Sequence, residues 1–459
     1  MSAFVPWKIL HIDLSTGIPT LMAEPKYQAI YAVFWWYGIP LGHQEIFAAQ
    51  LPMPATQLAN LALQAIVPAV GDRLFAQGFK QPLPVISPNP ARDTHVDFQT
   101  LMALKEPLKQ LQERCSQPVN GSISVIVCTR NRPEELAICL RSLQNLSPPP
   151  QQIIVVDNAP NSDVTQQLVA QFLSIQYILE QRPGLSVARN TGICHSKGDI
   201  IAFTDDDVVV HPNWMARLQQ GFQDPRVMAV TGLMLPAELE TEAQLIFHRG
   251  IGGPGWGYRR MTFDPQFFAD MKSRGVPVWR IGAGANMAFR RKVFDLVGYF
   301  DERLGAGASG CSEDSEFWYR ILAEGWCCCY EPSAVIYHYH RRDMDSLKHQ
   351  AYQYMRGHVA ALLVQFAKYK HWGNIRRLLI ALPRYYQQRF LQELKTGFQP
   401  KQSSLLREIA GCLAGVKYYI NNRRVMPFQS VPSRPHITEK TGVGGRVRGV
   451  GVKRNSCRK

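Results

Sequence analysis

Three consecutive carboxylates, Asp205, Asp206 and Asp207, end the short apolar run Ile200–Thr204. Like charges at adjacent positions repel, and burying one of them unpaired is costly. A hard divalent cation such as Mg2+ or Mn2+ removes the difficulty, because it takes oxygen ligands and commonly bridges to substrate phosphates. The alternative is that the triplet caps a helix starting near Pro212 and faces water. A second acidic group, Ser312-Glu-Asp-Ser-Glu316, offers Asp314 as a base for an attacking hydroxyl, at a helix start beneath the Gly-rich loop Gly305–Gly310 that could close over substrate. Its alternative is ordinary acidic N-terminal capping. His338 and His340 lie two apart on an expected strand and share a face, so one of them could complete a metal shell. Asp157 could accept hydrogen bonds from a base or ribose, and Arg189 could bind phosphate or sugar.

These residues need a scaffold that brings them together. From Ser122 the chain alternates strands and helices, the pattern of an α/β domain. Strands are expected at 123–128, 153–156, 175–179 and 200–204, with helices at 134–143, near 163–172 and from Ser186. Ligands of open α/β sheets bind beyond the carboxyl ends of the strands. Thr129, Asp157 and the triplet all sit at such ends, so they should converge. A second half follows, with a Gly-rich loop at Ile251–Gly257, a strand through Arg290, a helix from Arg291, a helix opening at Ser312, and strands at 327–330 and 334–340.

The flanks differ from this body. Residues 1–115 are rich in aromatics and prolines and read as a strand-turn-strand unit followed by a helix near 55–66. No chemistry is visible there, and His43 and Glu45 read as surface residues. Residues 342–424 read as basic, aromatic-bearing helices that suit either a membrane interface or packing against the body. The tail 425–459 is Pro/Gly/Arg-rich and is expected to be disordered. The net charge of +15 belongs to this end: from Arg341 onward there are 24 Lys/Arg against 5 Asp/Glu, whereas residues 1–340 carry 27 against 31. Such asymmetry suggests an anionic partner, nucleic acid or a membrane surface. The ten cysteines form no C-x-x-C pair and read as reduced, mostly buried small apolar residues, with Cys327–Cys329 alternating across a strand. No window is apolar enough to span a bilayer, and the start lacks the form of a signal peptide. A cytoplasmic enzyme is expected, peripheral at the inner face of the membrane if those helices bind lipid.

The series Ser124-Val-Ile-Val-Cys-Thr-Arg-Asn-Arg-Pro, Ile153-Ile-Val-Val-Asp-Asn, Arg189-Asn-Thr-Gly, Phe203-Thr-Asp-Asp-Asp and Ser312-Glu-Asp-Ser-Glu resembles the family 2 glycosyltransferases of GT-A fold. The motifs follow the family's order over residues 122–341. The resemblance implies a Rossmann-like mixed α/β sheet, here with an N-terminal α+β extension and a C-terminal helical region. It also implies an inverting transferase that uses a nucleotide-diphosphate sugar and Mn2+ or Mg2+. The donor-binding set would be Thr129, Arg130, Asp157, Arg189, Asp205 and Asp206, with Thr129 and Asp157 on the nucleoside. Asp205 and Asp207 would be the metal-binding DxD pair and Asp314 the base. His338 looks like the family's late metal-ligand histidine, with His340 as substitute. Two departures stand out: Asp157-Asn158-Ala159 replaces the common Asp-Asp-Gly-Ser, and the Gln-x-x-Arg-Trp motif of processive synthases is absent. A non-processive enzyme acting on a glycan or lipid-linked acceptor is therefore expected.

Three other readings compete. A non-catalytic glycan- or membrane-binding module would have no need of a base. Nucleic-acid binding is motivated only by the basic tail. A nucleotidyltransferase needs a Gly-rich first loop, and Thr129–Pro133 contains no glycine.

Overall fold

The computed structural model describes residues 4–76, 105–106, 108–109, 121–253, 257–396 and 403–425, all within one structural unit spanning 1–428. The expected disordered tail lies outside the described residues, apart from Val425, as does the centre of the 251–257 loop.

A three-stranded sheet comes first. Its strands are β1 (Trp7–Asp13), β2 (Ala29–Trp36) and β3 (Ile39–Phe47), with β1 parallel and β3 antiparallel to β2. Tyr37 and Gly38 join β2 to β3 with φ of 49° and 69°, the conformation of a two-residue hairpin turn matched to strand twist. The helix α1 (Ala55–Ala76) packs on β3. The parallel strand β1 has no counterpart in the sequence reading, because its partly exposed alternation is weak. This segment shares one hydrophobic core with Leu233, Leu235 and Val335 of the second sheet.

The second sheet is built in chain order from β4 (Ile123–Thr129), α2 (Pro133–Gln144), β5 (Gln152–Asn158), α3 (Val164–Val169), β6 (Ile175–Glu180), α4 (Leu185–His195) and β7 (Ile200–Asp205). Then come β8 (Val208–Val210), α5 (Trp214–Gln220), β9 (Val227–Pro236), α6 (Glu242–Phe247), β10 (Met261–Phe263), α7 (Pro265–Lys272), β11 (Met287–Arg290), α8 (Val293–Val297), α9 (Glu313–Ala323) and β12 (Cys327–His338). The order is β10-β12-β9-β11-β7-β4-β5-β6, with β8 paired to β12. β4 to β7 are mutually parallel, while β11 runs antiparallel between β7 and β9. The sheet is mixed, as expected.

Strands buried on both faces carry continuous β-branched runs. Val125 and Val127 of β4 face one core with Leu136, Leu140 and Trp214, while Ile126 faces the other with Ala188, Phe289 and Phe317. Cys327 and Cys329 share the first core and Cys328 the second, and all three are free thiols. β12 is one strand and not two. Pro332 cannot donate to a ladder, and the register shifts between Glu331 and Val335 before pairing resumes.

The C-terminal helices are α10 (Met344–Tyr369), α11 (Trp372–Arg376), α12 (Leu382–Thr396) and α13 (Leu405–Asn422), with a π-helical stretch at Arg377–Ala381. α10 lies against the segment that introduces α9. A Cβ on Gly357 would stand 2.5 Å from the Cys311 carbonyl oxygen. Alanine normally stabilises a helix interior by about 1 kcal/mol over glycine. Here backbone blocks backbone, so Gly357→Ala should instead destabilise by about 1–3 kcal/mol, read as a lower urea midpoint at unchanged m-value. A midpoint that rises would show that the helix does not pack this tightly.

Candidate active site

The carboxyl ends of β4, β5 and β7 gather the expected residues along one edge. Within the triplet, each side chain meets a different environment. Asp206 is buried and accepts hydrogen bonds from Thr129 Oγ1 at 2.7 Å and Arg132 Nη1 at 2.6 Å. Burial, only partly offset by Arg132, pushes its carboxyl up to about 7. Asp207 accepts from Arg132 Nη1 at 3.1 Å and faces His338 Nε2 at 3.3 Å. Burial opposes its charge, but His338 and Arg132 outweigh that and hold it well below the usual carboxylate range. Asp205 is the open member: its side chain is 37% exposed, against 6% for Asp206 and 11% for Asp207. The capping alternative fails here, because α5 starts after Asn213 and the triplet instead faces Thr129, Arg132 and His338.

Arg189 joins this edge to the second half of the domain. Its guanidinium is buried, with Nη1 donating to Glu313 Oε1 at 2.6 Å and Nη2 to the Gly284 carbonyl at 3.3 Å. Nη2 lies 3.6 Å from Asp205 Oδ1, and the group packs over the rings of Phe203 and Phe300. Glu313 thereby gives Oε1 to Arg189, while its buried Oε2 has no hydrogen-bond partner among the described residues, and Asp314 is the second carboxylate at the start of α9. A Cβ on Gly284 would meet Arg189 Nη2 at 2.9 Å and Asp314 Oδ2 at 3.1 Å, so this glycine lets the cation and the carboxylate approach one spot. Asp314 Oδ1 accepts from the Ser315 N–H and hydroxyl. Burial raises its pKa despite Arg189 nearby. Ser312, the expected cap, sits in the left-handed region at φ 70° and makes no capping hydrogen bond. The Gly305–Gly310 loop is tied to α4, through Leu185 N to Ala306 O and Ser186 Oγ to Leu304 O.

The two histidines occupy different layers. β12 ends at His338, so His340 lies beyond the strand that was expected to hold both. His338 faces Asp207, and its Nδ1 lies 3.0 Å from His340 Nδ1. Burial disfavours charge on His338, but Asp207 prevails and raises its pKa. His340 is buried behind it, and burial, with His338 and His248 beside it, lowers its pKa to about 3. His248 in turn meets Tyr31, whose ring lies 4.9 Å from that of His43. His43 is therefore not a free surface residue, and Glu45 pairs with Arg249. The first sheet backs this edge of the site.

Asp157 is buried, accepts from Tyr177 Oη at 3.0 Å, and has its pKa raised by burial. The departure at Asn158 has a structural reason, while Ala159 keeps the conformation that the common glycine favours. Asn158 donates to the Arg182 carbonyl at 2.7 Å and accepts from the Gly184 N–H at 2.8 Å. An aspartate could not donate, so only the amide pins both ends of the turn that starts α4. Ala159 sits at φ 47°, a left-handed position where glycine is at home.

Arg130 is exposed, and the sequence reading passed over Arg132, which holds two members of the triplet. The signal was present in Thr129-Arg-Asn-Arg-Pro133, since Asn131 tolerates the left-handed conformation it adopts at φ 56°. That turn sends the second arginine back over the strand ends.

The Glycosyl transferase family 2 profile matches residues 124–298. This segment is a family 2 glycosyltransferase domain. The chain is 29% identical over 229 residues to the succinoglycan biosynthesis protein ExoM of Rhizobium meliloti, covering 47% of this chain and 66% of that protein. It is 27% identical over 226 residues to the hyaluronan synthase of Pasteurella multocida, covering 44% and 23%. The chain thus spans less than two thirds of the length of either relative. Among solved structures, the mannosyltransferase PcManGT from Pyrobaculum calidifontis, in complex with GDP-Man and Mn2+, aligns with TM-score 0.45 at 15% identity, over 79% of this chain and 99% of that one. The matched segment of the transferase domain contains the triplet, Asp157 and Arg189. Asp314 and His338 lie beyond it and enter the site through Arg189 and Asp207.

Arg132→Ala should leave two buried carboxylates without their cation and lower stability by about 2–3 kcal/mol. Arg130→Ala should stay within about 0.5 kcal/mol of wild type. Chemical denaturation of both variants separates the two arginines, and equal losses would refute the assignment.

Proposed function

We propose that this chain transfers a sugar from a nucleotide-diphosphate donor to a hydroxyl of a glycan or lipid-linked acceptor, one sugar at a time, with inversion. The observation that carries the reading is the meeting of Asp205, Arg189 and Glu313–Asp314 at one edge of the transferase domain. Thr129 and Asp157 lie where a nucleoside would enter beyond β4 and β5. Arg189 and Arg132 supply fixed positive charge toward the phosphates, which guanidinium groups suit by geometry.

Among the described residues no three His, Cys, Asp or Glu side chains are gathered closely enough to cage a metal ion. The donor set is instead an open one. Asp207 and His338 offer a hard oxygen and an imidazole nitrogen 3.3 Å apart, with Asp205 exposed alongside. That fits Mn2+ or Mg2+ shared with a substrate, since such ions use one or two protein carboxylates and complete their shells with phosphates and water. The cation, when bound, would neutralise the diphosphate and stabilise it as a leaving group. Asp206, already satisfied by Thr129 and Arg132, would hold the turn and not the ion.

In this reading Asp314 takes the proton of the acceptor hydroxyl. As that proton leaves, the hydroxyl oxygen bonds to the anomeric carbon and the carbon–phosphate-oxygen bond breaks on the opposite face, which inverts the centre. A carboxyl raised by burial is a stronger base once ionised. The names of the two relatives, for succinoglycan biosynthesis and hyaluronan synthesis, support a glycan acceptor. The reading assigns the enzyme to the cytoplasm, at the inner face of the membrane where the acceptor is lipid-linked.

Asp314→Asn should lower transfer by about 100-fold or more while nucleotide-sugar binding is retained. Equal loss of binding would reduce Asp314 to a structural residue. The same variant carries a pH signature. Because the folded-state pKa of Asp314 is raised, wild type loses stability as pH rises through that value. Asn cannot ionise, so the variant should melt higher than wild type at neutral pH, and the gap should close toward pH values below the ordinary aspartate range.

A further inference from the structure

α13 turns an apolar stripe away from the body, and the second half of α12 exposes further large apolar side chains. α13 buries Leu405, Gly411 and Gly415 and packs its glycines against α10, where a Cβ would stand 2.4 Å from the Tyr352 carbonyl and 2.5 Å from that of Arg356. Its opposite face carries Leu406, Ile409, Leu413 and Ile420, spaced to fall on one stripe. Leu406 is 73% and Leu413 70% exposed. α12 differs: it buries Leu382 and Tyr386 near its start, and Phe390 and Leu394, further along the same i, i+4 row, stand half-exposed. Leu379 and Trp372, just before it, are also exposed. The α13 stripe, with these further exposures, is more than the scattered single exposures normal for a monomer.

The charge beside them has one sign. Residues 372–425 contain ten Lys/Arg and two Asp/Glu, and both acids, Glu393 and Glu408, are taken by Arg389. Arg384, Lys395, Arg407 and Lys417 are exposed. Lys417 falls within the α13 stripe itself, where a long side chain can lay its stem on apolar surface and lift its charge to a polar layer. None of the described helices is long and apolar enough to cross a membrane, so such a surface lies on a bilayer and does not enter it as a span.

We propose that the exposed stripe of α13, with the exposed apolar side chains of α12, docks this protein onto a bilayer containing anionic lipid. A second copy of the chain fits less well, because a two-fold contact would bring like charges together. Nucleic acid would use the arginines and lysines and leave the leucines idle. A bilayer with anionic headgroups uses both. Through α10, which touches Cys311 on one face and α13 on another, the docking helices are one helix removed from the loop before Asp314.

The test is co-sedimentation of the full chain with vesicles of phosphatidylcholine alone or with about one-third phosphatidylglycerol. Wild type should partition at least about tenfold more strongly to the anionic vesicles, and Leu406→Ser with Leu413→Ser should reduce that partition about tenfold or more. An unchanged melting midpoint for the double variant shows that the loss is not unfolding. Undiminished partition of the double variant would assign binding to the charge of residues 426–459 and overturn the proposal. So would a wild-type dimer in light scattering that the double variant dissolves, or retention on duplex DNA in the absence of vesicle binding.

Discussion

Arg189 is a permanent positive charge sealed from water, and that constraint orders the rest of the site. A guanidinium cannot shed its proton, so burial obliges the fold to surround it with acceptors. Glu313 lies at 2.6 Å, Asp205 at 3.6 Å and the Gly284 carbonyl at 3.3 Å. Those three come from α9, β7 and the segment before β11. One side chain on α4 therefore fixes the relative positions of the triplet and of Asp314. Buried pairs of this kind are weak evidence for stability, since desolvation offsets much of the attraction. Their effect here is geometric: the pair takes one oxygen of Glu313, and Asp314 Oδ2 is brought to the same Gly284 that Arg189 meets.

Around that centre the fold supplies layers of support. Arg132 satisfies the inner two carboxylates of the triplet and frees the outer one. His340, His248 and the first sheet stand behind His338 and set its position. On the other side, α10 presses against Cys311 through Gly357 and carries α13 on its far face. The open arrangement of Asp205, Asp207 and His338 suits an ion that is held jointly with a phosphate-bearing substrate.

Much of this was legible in the sequence because chemistry sits where apolar runs stop. Asp157 and the triplet stand at the carboxyl ends of the buried strands β5 and β7, and strand ends of a parallel sheet share an edge. What the sequence did not reveal depended on backbone turns of one or two residues. Which arginine of Thr129–Pro133 faces the triplet is decided by the left-handed Asn131, a conformation that residue type permits but does not require. His340 leaves the shared face because β12 ends two residues earlier. Asn158 departs from the motif because its amide bridges Arg182 and Gly184, contacts that the sequence alone does not show. His43 reads as a surface residue in the sequence because its neighbours, Tyr31 and Tyr258, come from the paired strand β2 and from a distant loop. In the C-terminal helices the basic and aromatic content was plain, whereas the stripe left uncovered on α13 emerged only once α10 was seen to take the opposite face.

The central claim is that the triplet, anchored by Arg189 and backed by His338, holds a divalent cation together with a nucleoside diphosphate. Electron paramagnetic resonance of Mn2+, titrated into the full chain with and without UDP or GDP, tests this without any acceptor. The account predicts that one of these diphosphates increases Mn2+ retention, and that Asp205→Ala with Asp207→Ala abolishes the increase in a folded protein. Mn2+ retained equally by the double variant, or indifferent to both nucleotides, would contradict it.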